Sequence, residues 1–456
     1  MKDKPVSTGE VHETSITGFN QKGEGIGRVD GLAVFVPGAI PGEKVLVRIT
    51  QVRQNFARGK LEKITASSPD RFESPCPRAG TCGGCQLQHI SYDKQLALKR
   101  ELVAETLKRI GHIEHPVLPV LGMDVPWRYR NKGQFHLRKI DDRVCFGFFE
   151  PGSHHFIPAR DCLLFSTAVN DLLSYLEDQL TAAVVEVFDA KTGEGCLRNV
   201  VIRESKATGE MMVILVTVHD RWKLKDLADD IVKAFPQVVS IYQNINRKAP
   251  PVVLGIHFKL LKGRAVIRDT IGHLSFDISP RSFFQVNSLQ TQVLYQVVLD
   301  CAGLTGRETV VDAYCGVGTI ALFLANRARK VYGVEMVADA VRDAEENARL
   351  NGIENARFIA GRVEDWVRRE AEQGGKVDVL VVDPPRRGLS PDFLQAVSEL
   401  RPPRMIYVSC NPSTLARDLR YLVEQGYGLT CVQPVDMFPQ TGHVECVVMM
   451  TNVKNK

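Results

Sequence analysis

From about residue 280 to the C-terminus, the sequence alternates short apolar segments with longer amphipathic ones. The apolar segments TVVDAYC, KVYGVE, ARFIA, VDVLVVD and RMIYVS are each followed by a segment of helical periodicity. Regular alternation of this kind predicts a parallel sheet with helices on both faces. The last two apolar segments, LTCVQPV and VECVVMM, are separated only by DMFPQTGH and should form a terminal hairpin. The sequence therefore predicts an α/β domain over residues 271–456.

Polar residues follow three of the predicted parallel strands at the point where each strand ends. In VVDAYCGVGTIAL (310–322), Gly316 and Gly318 let the backbone come close to a ligand at the end of the first strand. Glu335 ends the next strand, where a carboxylate can accept hydrogen bonds from ribose hydroxyls, and Asp383 follows the fourth. The glycine turn has neither a full GxGxxG nor a phosphate-binding Lys-Ser/Thr pair. These signals predict an adenosine-type cofactor, and a nucleoside such as S-adenosylmethionine fits better than a dinucleotide or ATP.

The fifth predicted strand ends in a cysteine, Cys410, and Asn-Pro follows at once. A helix that begins at about Pro412 points its positive end at this thiol, so we expect a pKa below the usual value of about 8.5. A thiolate beside a methyl donor predicts covalent catalysis on an electrophilic ring, such as addition to C6 of uracil before methylation at C5. Glu445, which opens the last strand, is the candidate base for the C5 proton, and His443 is its rival. Without this context, Cys410 would be interpreted as a small buried hydrophobe.

Four motifs of the predicted C-terminal domain, DAYCGVGT, DPPRRG, SCNPSTLARDL and GHVECV, resemble in this order those of the RNA 5-methyluridine methyltransferase family. The resemblance implies a Rossmann-like, S-adenosylmethionine-dependent methyltransferase domain with Cys410 as the nucleophile and Glu445 as the proton acceptor. The segment SFFQVN (282–287) is similar to the family segment whose glutamine touches the cofactor. By the same resemblance, the residues that contact S-adenosylmethionine are Gln285, Tyr314, Glu335 and Asp383.

Three cysteines lie close together in CPRAGTCGGCQLQH, and a fourth lies alone in ARDCLLFS. The N-terminus has no apolar leader and no apolar run is long enough to span a bilayer, so we expect a cytoplasmic protein without membrane contact. In a reducing compartment, clustered thiols are more often metal ligands or catalysts than disulfides. A Cx5CxxC spacing with a distant fourth thiol is compatible with zinc or with an iron–sulfur cluster. The candidate metal ligands are Cys76, Cys82, Cys85 and Cys162.

The family resemblance favours one of these two metals and also indicates the RNA. The ribosomal branch of the family carries this cysteine pattern as a [4Fe-4S] site, together with an N-terminal TRAM barrel. Its transfer RNA members are expected to lack both. The resemblance therefore implies 23S ribosomal RNA as the partner, and a cluster with a structural or RNA-shaping role.

Residues 1–66 alternate short β-prone runs with glycine turns, and Val45, Val47 and Ile49 alternate with polar neighbours. This pattern predicts a small, OB-like β-barrel, which the resemblance identifies as a TRAM domain. Phe56 lies within a basic run at the end of the barrel, which favours an RNA-contacting surface over a merely solvated face. The basic residues of that run are Arg48, Arg53, Arg58, Lys60 and Lys63.

Residues 67–270 mix predicted strands with predicted helices and should form an α+β central domain that carries the iron–sulfur site. The amphipathic helix at about 91–111 is expected to pack on the C-terminal domain. The segment WRYRNKGQFHLRK (127–139) could be a strand with one face in solvent. Because it holds five Lys/Arg and three aromatic residues, we interpret it as an electrostatic and stacking surface for RNA.

Together with the family resemblance, these features predict an enzyme that methylates C5 of a specific uridine in 23S ribosomal RNA, and we expect it to be a monomer. The first alternative is an RNA cytosine-5 methyltransferase, which also uses a strand-end cysteine but usually has a second cysteine where this chain has DPPR. The second alternative is a cluster-bearing RNA-binding protein without turnover, against which the presence of both Cys410 and Glu445 argues.

Overall fold

The structure is a computed structural model that describes residues 5–190, 192–220, 224–248 and 252–453. The outermost residues of the predicted barrel and of the predicted C-terminal domain, 1–4 and 454–456, therefore lie outside the described residues. So do three short stretches of the predicted central domain, namely 191, 221–223 and 249–251. Within the described ranges, no helix is long and apolar enough to cross a membrane.

A small β-barrel forms the N-terminal part of the described chain. Its strands are β1 (Val11–Ser15), β2 (Gly18–Phe19), β3 (Glu24–Val29), β4 (Leu32–Pro37), β5 (Lys44–Val52) and β6 (Phe56–Ala66). They hydrogen-bond in the order β1-β5-β6-β4-β3-β2. Val45, Val47 and Ile49 are buried in the core of the barrel, so the predicted alternation is confirmed. Phe35 and Phe56 meet edge to face, with ring centroids 5.4 Å apart.

Helix α1 (Tyr92–Thr106) follows the cysteine-containing loop and continues into a π-helical turn, Leu107–Gly111. An apolar cluster joins Val103 and Leu107 to the strands and helices of the C-terminal domain. On its polar side the helix forms a buried ion pair, in which Lys99 Nζ lies 2.6 Å from Asp436 Oδ1. Helix α1 therefore packs on the C-terminal domain, although the two are far apart in the sequence.

A seven-stranded sheet forms the central domain. Its strands are β7 (Lys132–Ile140), β8 (Arg143–Phe149), β9 (Phe156–Pro158), β10 (Leu197–Glu204), β11 (Met211–Thr217), β12 (Val238–Ile245) and β13 (His257–Gly263). Their order is β13-β12-β11-β10-β7-β8-β9, and β11 and β12 pair in parallel. Helices α2 (Thr167–Ala182) and α3 (Lys225–Ala234) cover one face through a shared apolar core. The predicted mixed α+β architecture is confirmed.

A short hairpin and a helix lead from the central domain into the last sheet. The hairpin consists of β14 (Ile267–Ile271) and β15 (Leu274–Ile278), and the helix is α4 (Ser288–Ala302). Asn287 caps α4, because its side chain accepts a hydrogen bond from Gln290 N.

The last sheet follows the alternation that the sequence predicts. Its strands are β16 (Thr309–Ala313), β17 (Lys330–Glu335), β18 (Ala356–Ala360), β19 (Val379–Val382), β20 (Arg404–Ser409), β21 (Tyr427–Val435) and β22 (Glu445–Asn452). The helices between them are α5 (Thr319–Ala325), α6 (Ala338–Leu350), α7 (Val363–Glu372), α8 (Pro391–Leu400) and α9 (Pro412–Glu424). The strand order is β18-β17-β16-β19-β20-β22-β21, with the first five parallel and the terminal hairpin antiparallel. The predicted parallel sheet with its terminal hairpin is confirmed.

The interpretation of residues 127–139 as an aromatic stacking surface is wrong for two of its three aromatic residues. Tyr129 is 1% exposed, and its hydroxyl donates to the carbonyl of Pro439. Phe135 of β7 is fully buried in the apolar core that this strand shares with α2, because buried residues alternate with more exposed ones along β7. The half-exposed residues of β7 are Lys132, His136 and Arg138. The segment is therefore mainly a strand with one basic, partly exposed face.

Candidate active site

The turn after β16 opens a crevice at the carboxyl edge of the last sheet. Tyr314, Gly316 and Gly318 have left-handed backbones, with φ of 68°, 54° and 81°. A Cβ on Gly318 would lie 2.8 Å from Phe358 Cε1, whereas a Cβ on Gly316 would meet nothing within 4 Å. The turn is thus closely packed on one side and leaves room for a ligand on the other.

Two of the predicted cofactor residues are held firmly at this edge. Glu335 ends β17, where its Oε2 accepts from Gly316 N at 3.2 Å and its Oε1 accepts from Val337 N at 2.9 Å. Each carboxylate oxygen has a second lone pair for a ligand hydroxyl. Tyr314 is half-buried against Phe393, with ring centroids 5.6 Å apart. Burial raises the pKa of its hydroxyl, so Tyr314 is neutral at physiological pH.

Two further carboxylates lie at this edge, and one of them escaped the sequence reasoning. Asp383 follows β19, and burial raises its pKa to about 7. Asp312, in β16, is fully buried; its Oδ2 accepts from Ala321 N at 2.8 Å, and its Oδ1 has no partner among the described residues. Burial raises the pKa of Asp312 well above its usual value, and the charges of Asp383 and Glu335 add to this effect. A carboxylate inside an apolar strand was the signal that could have revealed it.

Gln285, the fourth predicted cofactor residue, lies just before α4. Its carbonyl accepts a hydrogen bond from Asn131 Nδ2 at 2.9 Å, which ties the segment to the central domain. Its side chain is half-exposed. The contact of this side chain with a cofactor stays a prediction.

Strand register brings the two predicted catalytic residues together. Strands β20 and β22 pair antiparallel, with Ser409 opposite Cys446. Cys410 and Glu445 are the residues adjacent to this pair, and the charge of Glu445 acts on the Cys410 thiol. Glu445 is 4% exposed and Cys410 is half-buried. A thiol and a carboxylate therefore share the carboxyl edge of the sheet with the cofactor crevice.

The Asn-Pro pair after the cysteine starts α9 and ties it to a neighbouring loop. Asn411 is the N-cap, and its Oδ1 accepts from Ser413 N at 3.1 Å. Pro412 occupies the first helical turn, where a missing N–H is tolerated. Asn411 Nδ2 donates to the carbonyl of Arg386 at 3.0 Å, which links the DPPR loop to the end of β20.

The electrostatics of the site differ from the prediction. The pKa of Cys410 is raised to about 11, first by burial and then by the charges of Glu445 and Asp383, while Arg386 lowers it. The prediction that α9 lowers this pKa is wrong, because burial and two carboxylates outweigh the helix terminus. Burial, followed by the charge of Asp383, raises the pKa of Glu445 to about 8. At neutral pH the thiol is therefore protonated, and so is most of Glu445.

His443, the rival base, lies two residues before Glu445 and is half-buried. Its pKa is lowered, first by burial and then by the positive charges of Arg386, Lys99 and Arg130. The imidazole is therefore neutral at physiological pH. It lines a cavity of 490 Å³ together with Arg386.

The four candidate metal ligands, Cys76, Cys82, Cys85 and Cys162, line this same cavity. Burial raises the pKa of Cys85 to about 12 and that of Cys162 to about 11, and the charges of the other cysteines raise both further. The four thiols are thus neighbours despite their separation in sequence. Across the described residues, however, no three His, Cys, Asp or Glu side chains are gathered as a metal-binding group. An iron–sulfur cluster is therefore not shown.

Residues 91–453 match the family described as tRNA (Uracil-5-)-methyltransferase, and residues 5–61 match the TRAM domain. The chain belongs to the tRNA (uracil-5-)-methyltransferase family. The predicted family, the methyltransferase fold and the TRAM domain are confirmed. A member of this family is an S-adenosylmethionine-dependent enzyme that methylates RNA, so RNA is the partner.

Relatives of this uracil-5-methyltransferase match it over nearly their whole length. It is 44% identical to an uncharacterized RNA methyltransferase of Halalkalibacterium halodurans, over 98% of both chains. It is also 44% identical to one of Clostridium tetani, over 100% of this chain and 99% of that one. A solved structure, the Pyrococcus abyssi tRNA (uracil-54, C5)-methyltransferase in complex with S-adenosyl-L-homocysteine, is 30% identical with a TM-score of 0.77. This match covers 96% of this chain and 100% of the archaeal chain.

The archaeal relative corrects one expectation about the family. It is described as a tRNA enzyme, yet it matches 96% of a chain whose barrel strands extend from Val11 to Ala66. A match over 96% of this chain must include most of the barrel. The expectation that transfer RNA members lack the barrel is therefore wrong for this relative. The presence of a barrel does not choose between ribosomal and transfer RNA.

Proposed function

We propose that this protein methylates C5 of a specific uridine in 23S ribosomal RNA, with Cys410 as the nucleophile and Glu445 as the base. The observation that carries the proposal is the register of β20 and β22, in which Ser409 lies opposite Cys446, so that the adjacent residues Cys410 and Glu445 are near enough for the charge of Glu445 to act on the thiol. Family membership supplies the reaction class. A thiol and a carboxylate are the two groups that methylation of uracil C5 requires from the protein.

The reaction begins when the Cys410 thiolate adds to C6 of a uracil that has left its stack. The new C6–S bond moves an electron pair toward C5 and O4 and makes C5 nucleophilic. S-adenosylmethionine supplies the electrophilic methyl group that C5 attacks. The thiol must first lose its proton, and the acceptor is Asp383, whose charge acts on it, because Glu445 must remain free for the C5 proton. The pKa of Asp383, about 7, suits proton transfer near neutral pH.

Glu445 acts in the second half of the reaction. After methylation, C5 carries both the methyl group and its original proton. Glu445 removes this proton, the C5=C6 double bond forms again, and the C6–S bond breaks to release the Cys410 thiolate. A carboxylate with a pKa of about 8 is a stronger base than an ordinary one, which favours this role. His443, neutral and two residues away, is the second candidate for the base.

The cofactor is proposed to lie in the crevice at the carboxyl edge of the last sheet. The turn at Gly316 would bring the backbone close to the cofactor, and the cofactor ribose is expected to lie at the Glu335 carboxylate. The residues proposed to contact S-adenosylmethionine are Gln285, Tyr314, Glu335 and Asp383.

We also propose that Cys76, Cys82, Cys85 and Cys162 hold a [4Fe-4S] cluster. Four thiols around one cavity match the number and kind of ligands that such a cluster requires. A cluster there would supply a covalent link between the loop at 76–88 and the segment around Cys162. Zinc is the alternative that the same four donors would also satisfy.

The RNA substrate has two candidates. The cysteine pattern and its resemblance to the ribosomal branch favour 23S ribosomal RNA, acted on by a monomer in the cytoplasm. The likeness to the Pyrococcus abyssi tRNA (uracil-54, C5)-methyltransferase favours a transfer RNA uridine as the second candidate. Methylation of cytosine is disfavoured, because Asp383-Pro-Pro-Arg offers no second thiol.

Nucleoside mass spectrometry of RNA from cells with and without this gene tests the proposal. We expect 5-methyluridine to disappear from one or two positions of 23S ribosomal RNA, and to return with the wild-type gene. The Cys410→Ala gene should not restore it, although the purified variant should still bind S-adenosylmethionine. Loss of 5-methyluridine from transfer RNA alone would support the second candidate, and loss of 5-methylcytidine would contradict both.

A further inference from the structure

The loop between β21 and β22, residues 436–444, is here called the hairpin loop; it contains His443 and leads directly to Glu445. Its first five carbonyls each accept a hydrogen bond from outside the strands that it joins. The donors are Gln290 Nε2 to Asp436 O (3.2 Å), Asn287 Nδ2 to Met437 O (3.1 Å), Lys99 Nζ to Phe438 O (3.3 Å), Tyr129 Oη to Pro439 O (3.0 Å), and Gln86 N and Leu87 N to Gln440 O (3.0 Å each). The rest of the molecule therefore imposes the conformation of this loop.

Gln440 is the point where the loop at 76–88, here called the cysteine loop, meets the hairpin loop. Its backbone is left-handed, with φ of 69°, a conformation that disfavours residues other than glycine. Gln95 of α1 compensates, since its Nε2 donates to Gln440 Oε1 at 3.0 Å and its Oε1 accepts from Gln440 N at 3.1 Å. The two amides that reach the Gln440 carbonyl follow directly after Cys85 in the chain.

The barrel touches the same place through residues 20–24, here called the barrel loop. A Cβ on Gly442 would lie 2.5 Å from the carbonyl oxygen of Gln21, so any side chain there would push the two loops apart. A Cβ on Gly23 would lie 2.6 Å from Gln86 Cβ. The barrel loop, the cysteine loop and the hairpin loop therefore meet at one junction, and His443 is the next residue after Gly442.

We propose that this junction holds His443 and Glu445 in their working positions, which makes Gln440 and Gly442 positioning residues for methyl transfer. The proposal rests on the proposed role of Glu445 as the base. The TRAM barrel then acts in the chemical step as well as in RNA affinity. The junction connects parts of the chain that the alternation of strands and helices leaves unrelated.

The test is Gly442→Ala, with Gly18→Ala as the matched control. Both add one methyl group, but a Cβ on Gly18 would lie 3.5 Å from Ile26 Cβ, an ordinary contact within the barrel. A base displaced by about 1 Å should slow its step about 100-fold. Gly442→Ala should therefore lower kcat by about 10- to 100-fold, with unchanged KM for S-adenosylmethionine and unchanged RNA affinity. A covalent protein–RNA complex should accumulate, because proton removal is the delayed step. Gly18→Ala should behave as wild type in each measurement.

Hydrogen exchange of the amides at 441–446 gives a readout that does not depend on the reaction. It should be at least about tenfold faster in Gly442→Ala than in the wild type or in Gly18→Ala. Gln95→Leu, which removes both bonds to the Gln440 amide groups, should give the same exchange and kinetic changes and serves if Gly442→Ala does not fold. The proposal would be overturned by a folded variant whose hydrogen exchange and kcat both equal those of the wild type. If the wild type itself methylates no uridine, the proposed function fails, and the exchange result still decides about the junction.

Discussion

At Cys410, the chain combines a nucleophile with surroundings that oppose its ionisation. Burial and the charges of Glu445 and Asp383 raise the pKa of the thiol to about 11. A protonated thiol is a poor nucleophile and is slow to oxidise, so the resting site is protected. Protonation of either carboxylate relieves the repulsion, since a neutral neighbour no longer disfavours the thiolate. The site can thus form the nucleophile by moving a proton within itself, without a dedicated base for Cys410.

The base can be separated from the nucleophile by Glu445→Gln. Glutamine keeps the shape of the side chain but cannot take the C5 proton, so Cys410 should still add and the methyl group should still be transferred. Elimination then stalls, and the enzyme stays bonded to its methylated RNA. A denaturing gel with labelled RNA and S-adenosylmethionine should show a slowly migrating protein–RNA band, with turnover reduced at least about 100-fold.

The double variant Cys410→Ala/Glu445→Gln is the control for that band. It lacks the thiol, so it should bind RNA and cofactor but form no covalent band. If the single variant also forms no band although it binds both, Glu445 is not the eliminating base. His443→Asn would then be the variant to measure next.

Glu445 also predicts a pH dependence of stability. Its pKa is about 8 in the folded protein and about 4.5 when exposed, so the folded state binds the extra proton between these values. Its contribution to stability is full below about pH 4.5 and is lost as the pH rises through about 8. Glu445→Gln has no such loss. Its melting temperature should exceed that of the wild type by a few degrees more at about pH 8.5 than at about pH 5, measured by calorimetry. An equal difference at both values would contradict the raised pKa.

Single residues could be predicted where their chemistry depends on position in a strand. Glu335, Asp383 and Cys410 each follow or end a parallel strand, and such residues meet at one edge whatever the details of packing. The pKa of Cys410 could not be predicted in this way, because it depends first on burial and then on the charges of Glu445, from an antiparallel strand, and of Asp383. Asp312 was missed because its position within β16 is that of a core residue.

At the scale of elements, the hairpin of β21 and β22 could be predicted but its loop could not. The pattern LTCVQPV–VECVVMM fixes two strands and leaves DMFPQTGH as a connection without periodicity. In the structure this connection is held by donors from α1, α4, the cysteine loop and Tyr129. Contacts at such separations leave no local trace in a single sequence. The hairpin loop, which these distant donors hold, is therefore the part of the candidate site about which the sequence says least.

The cysteine loop carries a prediction about metal content. Cys162 is distant from the other three cysteines in sequence but lines the same cavity, so all four should be needed for a cubane cluster. Protein purified without oxygen should be brown, and each chain should contain about four iron and about four sulfide ions. Cys162→Ser should lose iron and visible absorbance as fully as Cys82→Ser does.

Cys145→Ser is the matched control for these variants. Cys145 lies on β8 outside that cavity, and its replacement should leave iron, sulfide and colour unchanged. Stoichiometric zinc without visible absorbance in the wild-type protein would contradict the iron–sulfur assignment. Retention of iron in Cys162→Ser would show that the fourth ligand is another residue.

At the scale of the whole molecule, the order of the domains along the chain could be predicted, but the RNA substrate could not. Alternation from about residue 280 fixes the parallel sheet, and glycine-punctuated strands at the N-terminus fix the barrel. The path of an RNA depends on clefts between these parts. One such cleft, of 770 Å³, is lined by Lys22 and Arg58 of the barrel, Cys82 of the cysteine loop and His443. Residues that lie so far apart in the chain reveal a common surface only after folding.

The parts are joined by a buried ion pair, and its removal should destabilise the molecule as a whole. Lys99 of α1 and Asp436 of the hairpin loop are both 0% exposed, with Nζ and Oδ1 2.6 Å apart. Lys99→Met leaves the Asp436 carboxylate buried without its cation. We expect a loss of roughly 3–5 kcal/mol of unfolding free energy, measured by denaturant titration of the transition that includes the last sheet.

The compensating variant shows whether this loss arises from the uncompensated charge. Asp436→Asn removes the charge and keeps an oxygen to accept from Phe438 N, which donates to Asp436 at 3.2 Å. The amide nitrogen can donate to Tyr92 Oη, which in the wild type donates to Asp436 at 3.0 Å. In Lys99→Met/Asp436→Asn no buried charge is left, so at least half of the lost stability should return. If the double variant is as unstable as the sum of the single ones, the ion pair matters through the packing of the Lys99 chain instead. Lys99 also donates to the Phe438 carbonyl, and the hairpin loop still lacks that bond in the double variant. The double variant should therefore regain a larger fraction of its stability than of its turnover.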